Sequence, residues 1–178
     1  MKTKTWLSML ALLLCSAAVN AGWDPADNAR LLREAPKTVA TFRAADPSLR
    51  RFFDSAAGWA VFPTVGKGGF VLGGAYGKGV VYSGGTAVGF TELKQVSVGL
   101  QVGGQTYSEL IFFRDQAALE RFKTEKLEFD AQVSAIAADK GAAASADYHS
   151  GVAVFTKPKS GLMAEASVGG QSFSFSPR

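Results

Sequence analysis

"GKGGFVLGGAYGKGVVYSGG", residues 66–85, holds nine glycines and two lysines in twenty positions, with β-branched, aromatic and small residues filling most of the rest. It reads as a phosphate cradle, a flexible linker or a sheet with bare faces. A P-loop needs G-x-x-x-x-G-K-[ST] between a strand and a helix. Here Gly74-Ala75-Tyr76-Gly77-Lys78 is too short, Gly79 stands where Ser or Thr belongs, and the following "VVYS" favours a strand. The dinucleotide pattern G-x-G-x-x-G also fails, because Val71 takes the place of the third glycine after Gly66 and Gly68. A linker would leave Phe70, Val71, Leu72, Tyr76, Val80, Val81 and Tyr82 in water. A sheet remains. Gly69, Gly73 and Gly77 recur four apart, as do Gly85 and Gly89, and Gly99 and Gly103. Residues four apart on a strand share a face, so these glycines make bare stripes where a backbone or an aromatic ring can approach closely. A tightly curved or closed sheet needs such positions at its bends.

The period of two extends beyond this stretch. "QVSVGLQV" (95–102) places Val96, Val98, Leu100 and Val102 on one face and Gln95, Ser97, Gly99 and Gln101 on the other. "GWAVF", "GFVLGGAY", "KGVVYS", "TAVGFTEL" and "TYSELIFF" are strand-like too, with glycine or serine turns between them, which predicts an antiparallel meander over 58–113. Residues 22–57 read instead as short helices. Asp24-Pro25 and Asp46-Pro47 each pair an N-cap residue with proline at the first helical position, and Pro36 is expected to end or kink the first segment. Leu31, Ala35, Val39 and Phe42, then Leu49, Phe52 and Phe53, follow helical spacing, with arginines and lysines between them. A further helix is expected over "DQAALERFKTEK", capped by Asp115. Alternation over 127–137 predicts another strand, and "SGVAVFTK" with "GLMAEASVGG" predicts a hairpin around Pro158-Lys159-Ser160. The expected fold is α+β: a glycine-rich, strongly curved antiparallel sheet or barrel-like β-structure, with short N-terminal helices and one more helix after the central strands. Residues 22–57 and 58–178 are expected to share one domain.

The opening "MKTKTWLSMLALLLCSAAVNA" has Lys2 and Lys4, an apolar run from Trp6 to Val19 and a small-x-small site, and so reads as a signal peptide cut after Ala21. Cys15 follows Leu14, where a lipoprotein signal requires a small residue. Cleavage takes away two lysines and no acid, so 17 basic residues face 15 acidic ones. That mild balance offers no case for nucleic acid. The remaining chain has no cysteine, so its fold rests on its core alone. An exported, periplasmic chain, peripheral on a membrane, is the expected setting.

Three stretches together resemble the SYLF family of lipid-binding domains. They are Ala60-Val61-Phe62-Pro63, then Lys67-Gly68-Gly69-Phe70, then Gly99-Leu100-Gln101-Val102-Gly103-Gly104-Gln105, matching an A-I-F-P-like strand end, a lysine-glycine-phenylalanine run and a G-L-Q-x-G-G/A-Q strand. The resemblance runs from about Ala29 to Gly170. It implies a non-enzymatic domain, without cofactor, that binds phospholipid membranes. Eukaryotic members bind phosphoinositides through a basic amphipathic N-terminal segment, and some bind actin. By position that segment is 25–57 here, which makes Arg30, Arg33, Lys37, Arg43, Arg50 and Arg51 the candidate lipid contacts, with Phe52 as an inserted side chain. Lys67 and Lys78 form a second candidate patch. Glu34 and the scattered spacing of the cations depart from a dense basic cluster, and the export signal argues against actin as a partner.

Catalysis has few residues to draw on. His149 is the single histidine and reads as a surface residue; no H-E-x-x-H, C-x-x-C or G-x-S-x-G pattern occurs. Glu109, Asp115, Glu128 and Asp130 read as solvated strand faces and a helix cap. An anionic phospholipid membrane is therefore the expected partner. Two alternatives stand beside it: an assembly protein docking an envelope protein through its sheet, and a small outer-membrane β-barrel.

Overall fold

The computed structural model describes residues 24–124, 128–129 and 135–178, leaving out the side chains of 128–129 and 162–169. The expected signal peptide, most of the strand expected over 127–137, and the side chains of Glu128 and Asp130 lie outside the described residues. In chain order the elements are α1 (Pro25–Ala45), a 3₁₀ turn (Pro47–Leu49), α2 (Arg50–Ser55), β1 (Gly58–Gly69), β2 (Leu72–Ser83), β3 (Thr86–Phe113), α3 (Gln116–Thr124), β4 (Glu128–Phe129), β5 (Ile136–Ala137), α4 (Ala142–Ser145) and β6 (Val152–Pro177).

Both proline starts form as the capping residues dictate. Asp24 accepts from Ala26 N at 2.9 Å with Pro25 at the head of α1, and Asp46 accepts from Ser48 N at 3.0 Å at the head of the 3₁₀ turn. Pro36 does not end the first helix, which continues to Ala45. An interior proline costs about 3 kcal/mol in a helix. Here the apolar stripe outweighs that cost: Leu31, Ala35 and Phe42, on either side of the proline, are all buried against the sheet. Two or three such side chains contribute about 1.5–3 kcal/mol each.

The antiparallel meander expected over 58–113 forms from β1, β2 and β3, with longer strands than the glycine and serine turns suggested. β3 is one strand of 28 residues and β6 one of 26, paired antiparallel along almost their whole length, from Gly89↔Pro177 to Phe113↔Val152. A straight strand of that length would reach about 90 Å, whereas a globule of this size has a radius of gyration of about 16 Å. The ribbon must therefore bend. It does so between Gly99 and Gly103, whose φ angles of 140° and 117° suit only glycine. The first arm of β3 pairs with β2 (Leu72↔Val98 to Ser83↔Thr86) and the second with β1 (Gly69↔Gly103 to Gly58↔Phe113). The β1–β2 hairpin consequently has both outer edges paired with the same strand, and its tip is fastened to the bend by Gly99 N donating to Val71 O at 3.0 Å and Gln101 N to Phe70 O at 2.7 Å.

The hairpin expected around Pro158, by contrast, is absent. β6 runs straight through, with Tyr107 opposite Pro158 and Thr106 opposite Ser160, so Lys159 is the extra residue of a bulge. A proline adds no ladder donor, and a bulge absorbs it without reversing the chain. β4 and β5 pair with β6 at Glu128↔Ser172 and Ile136↔Phe155, the second in parallel.

One face of the sheet, with Val61, Val80, Phe90, Leu110, Phe112 and Phe155, receives α1, α2 and α4. Its centre is an aromatic cluster: Phe52 stacks on Phe112 at 5.3 Å, and Phe53 meets Phe112 edge-on at 4.8 Å. The opposite face, with Phe62, Leu93, Ile111, Phe113 and Phe173, is closed at one end by Leu119 and Phe122 of α3. The bare stripes are filled as their spacing requires. A Cβ on Gly79 would lie 2.6 Å from Val61 O and 2.8 Å from the Phe62 ring, and one on Gly73 would collide with the Gln101 amide.

Candidate functional site

The bend of β3 turns its alternating pattern inside out. Ser97 and Gln101 are fully buried, while Val96, Val98, Leu100 and Val102 are exposed by 70%, 59%, 63% and 49%. Gln101 fits inside because Gly69 and Gly73 carry no side chain where its amide lies. Ser97 Oγ donates to Gln101 Oε1 at 3.0 Å, and Gln101 Nε2 donates to Ser97 O at 3.3 Å. With the polar positions satisfied inward, strand parity forces the four apolar ones outward.

These residues have neighbours of the same kind. Phe70, Val71 and Leu72, at the hairpin tip, are more than half exposed, and the register sets Leu72 beside Val98 and Tyr76 beside Lys94. Every large apolar side chain left exposed among the described residues lies between Phe70 and Val102. Scattered exposed valines need no explanation, but a contiguous group marks a contact surface. Lys94, whose side chain is 64% exposed, and Lys67 lie on the arms behind this apex. Among the described residues no helix is long and apolar enough to cross a membrane, which leaves strands out of account.

The N-terminal candidates take other positions. Arg30 is held between Asp27 at 3.1 Å and Glu34 at 3.0 Å, and Asp27's hydrogen bond raises its pKa. Lys78 reaches from β2 to Asp27 at 2.8 Å; that bond raises the lysine pKa and, with Arg30, lowers that of Asp27. Lys78 thereby fastens the start of α1 to the sheet, while Arg30 braces Asp27 within the helix. Arg43 lies over the Phe53 ring at 4.0 Å and Arg51 over Phe52 at 4.7 Å, while Arg51 also donates to the carbonyls of Ala144 and Ala146. Arg50 is largely exposed and pairs with Asp54 at 3.2 Å. Arg33 and Lys37 lie exposed on α1. Phe52, expected as an inserting side chain, is 1% exposed and belongs to the core; its helical spacing served packing on Phe112. Lys67 is half-buried beside a polar cavity.

That cavity, about 260 Å³, is lined by Lys67, Gln95, Gln105, Tyr107, Glu109 and Gln171 among others. Glu109 is fully buried, not on a solvated strand face as expected. Its Oε2 accepts from Gln171 Nε2 at 3.3 Å, and its Oε1 has no partner among the described residues. Burial pushes its pKa up to about 7, against the lowering effects of Gln171 and Lys67. Asp115 does cap α3, accepting from Ala118 N at 2.9 Å, and His149 is an exposed turn residue paired with Val152.

Comparison with known proteins agrees with the third of the strand motifs, Gly99–Gln105. Residues 94–177, covering the bend of β3 and all of β6, match the family model described as Ysc84, Las17-binding protein actin regulator. Beta cell expansion factor A of Aeromonas veronii is 31% identical over 129 residues, a stretch that covers 71% of this chain and 49% of that protein. The chain thus spans about half the length of this relative. Over residues 94–177 the chain carries a domain of the Ysc84, or SYLF, family.

Proposed function

We propose that the chain is a non-catalytic phospholipid-binding domain of the cell envelope that enters the membrane interface with the apex formed by Phe70–Leu72 and Val96–Val102. The observation that carries this reading is the inverted alternation at 96–102, where apolar side chains face out around a polar, hydrogen-bonded interior. Full burial of a valine, leucine or phenylalanine contributes about 1.5–3 kcal/mol. Partial insertion of five or six gives on the order of 5 kcal/mol, and each lysine near an anionic leaflet adds about 1 kcal/mol. That suffices for reversible attachment. The N-terminal cations have a smaller part in this scheme than the resemblance implies, since Arg43 and Arg51 brace the helices against one another and Arg30 and Arg50 pair with acids of their own helices.

Co-sedimentation with phosphatidylcholine vesicles, with and without phosphatidylglycerol, tests it. The Val98→Asp/Leu100→Asp variant is expected to bind at least about tenfold more weakly, the equivalent of 1.4 kcal/mol or more. Arg50→Glu, which removes only an exposed pair, is expected to change binding less than about threefold. If the apex variant sediments like the unaltered chain, the apex is not the contact. A stoichiometric protein partner released by the apex variant would instead favour the docking role that the family description names.

A further inference from the structure

A second feature stands apart from the apex. Between α1 and the bulge of β6 lies a groove of about 180 Å³ lined by Lys37, Thr38, Thr41, Ser108, Lys157 and Lys159, among others, with no acidic residue among the described residues of its walls. Six cations elsewhere stand beside a carboxylate: Arg30, Arg50, Lys78, Lys94, Arg114 and Lys123. The lysine of the bulge is held in place, its Nζ donating to Thr64 Oγ1 at 2.8 Å and to Pro63 O at 3.3 Å. The groove's hydroxyls are already engaged as donors, Thr38 to Glu34 O, Thr41 to Lys37 O and Ser108 to Pro63 O. The ammonium groups are therefore its recognition chemistry. Three like charges around one small space repel one another unless an anion sits between them.

We propose that this groove binds a phosphate group, with Lys37, Lys157 and Lys159 as its cations. Lysine acts on phosphate as a point charge through up to three donors, and a phosphate ester with close to two negative charges matches three ammoniums better than a single carboxylate does. At about 30 Å³ per water, the groove has room for a phosphate and a small substituent but not for an acyl chain. It lies six to eight residues along β3 from Leu100, about 20–26 Å of strand. Two sources share this chemistry, a lipid headgroup and a soluble phosphate ester. The proposal rests on the groove alone and does not require the apex to enter a bilayer.

The test titrates the full chain calorimetrically with inorganic phosphate at constant ionic strength, then with short-chain phosphatidic acid below its micelle concentration. Lys37→Gln/Lys157→Gln is the variant, leaving Lys159 to hold Thr64 and Pro63; circular dichroism checks its fold. Saturable phosphate binding, weakened about tenfold or more in the variant, is the expected result. Sedimentation with phosphatidic acid vesicles then separates the sources. A parallel loss in the variant points to the headgroup, and unchanged sedimentation points to a soluble ester; both uphold the site. No saturable binding of either compound, or equal affinity in the variant and the unaltered chain, overturns it.

Discussion

Asp46→Ala is expected to lower the unfolding free energy by about 3–5 kcal/mol, measured by urea denaturation near neutral pH. Asp46 is fully buried between the end of α1 and the 3₁₀ turn. Its Oδ1 accepts from Ser48 N at 3.0 Å, Ser48 Oγ at 2.6 Å and Gly141 N at 3.0 Å, and its Oδ2 from Ala143 N at 2.7 Å. One side chain thus caps the N-terminal turn and ties it to the segment carrying α4, which lies some 95 residues later. A lost cap costs about 0.5–2 kcal/mol, and each buried donor left without a partner about 1–3 kcal/mol, with incomplete additivity. Asp46→Asn is expected to recover part of the loss, because Oδ1 survives while an amide N–H would face the Ala143 donor. Burial raises the carboxyl pKa, but the hydrogen bonds from Ser48, Ala143 and Gly141 outweigh it and hold the group below 3.8. Its contribution is therefore present above 3.8 and is lost as pH falls through the lower, folded-state value. A cost below about 1 kcal/mol would show that Asp46 is not a hub.

Glu109→Gln is expected to have the opposite sign. The folded carboxyl titrates at about 7 against an ordinary value of 4.5. Between those values the folded state binds more protons than the unfolded one, so stability falls as pH rises through this window and levels off above it. The full span corresponds to roughly 3 kcal/mol. Glutamine keeps the shape and carries no charge, so the variant is expected to be about 2–3 kcal/mol more stable at pH 8, or roughly 5–10 °C in melting temperature. Its melting temperature should depend little on pH between 5 and 8, while that of the unaltered chain declines. Parallel curves for the two proteins would contradict the buried placement of the Glu109 carboxyl.

Much of this fold is legible in local chemistry. Asp24-Pro25, Asp46-Pro47 and Asp115 mark three starts through hydrogen bonds made within a few residues. The glycine spacing identifies a sheet, since it is the close approach of Phe62 and Gln101 that excludes side chains at Gly79 and Gly73. What could not be read depends on contacts between distant residues. Alternation at 95–102 separates two faces but does not say which is inside; the bend that brings Gln101 to Gly69 and Gly73 decides it. Pro36 reads as a stop until the sheet beneath Leu31 and Phe42 is known. The length of β3 is hidden because its bend glycines look like turns. Glu109 left a fainter signal. It stands in phase with Tyr107, Ile111 and Phe113, all buried, and a carboxylate in step with three buried apolar positions points inward with them.

The central claim, that the apex is what meets the membrane, is tested most directly by measuring depth. A Phe70→Trp chain bound to anionic vesicles containing brominated lipids reports through quenching of the added tryptophan, with the unaltered chain providing the signal of its native tryptophans. The account predicts a blue shift on binding and strongest quenching by bromines near the top of the acyl chains, consistent with insertion of about 5–10 Å. Emission from residue 70 that stays unshifted and unquenched while the protein sediments with the vesicles would contradict it.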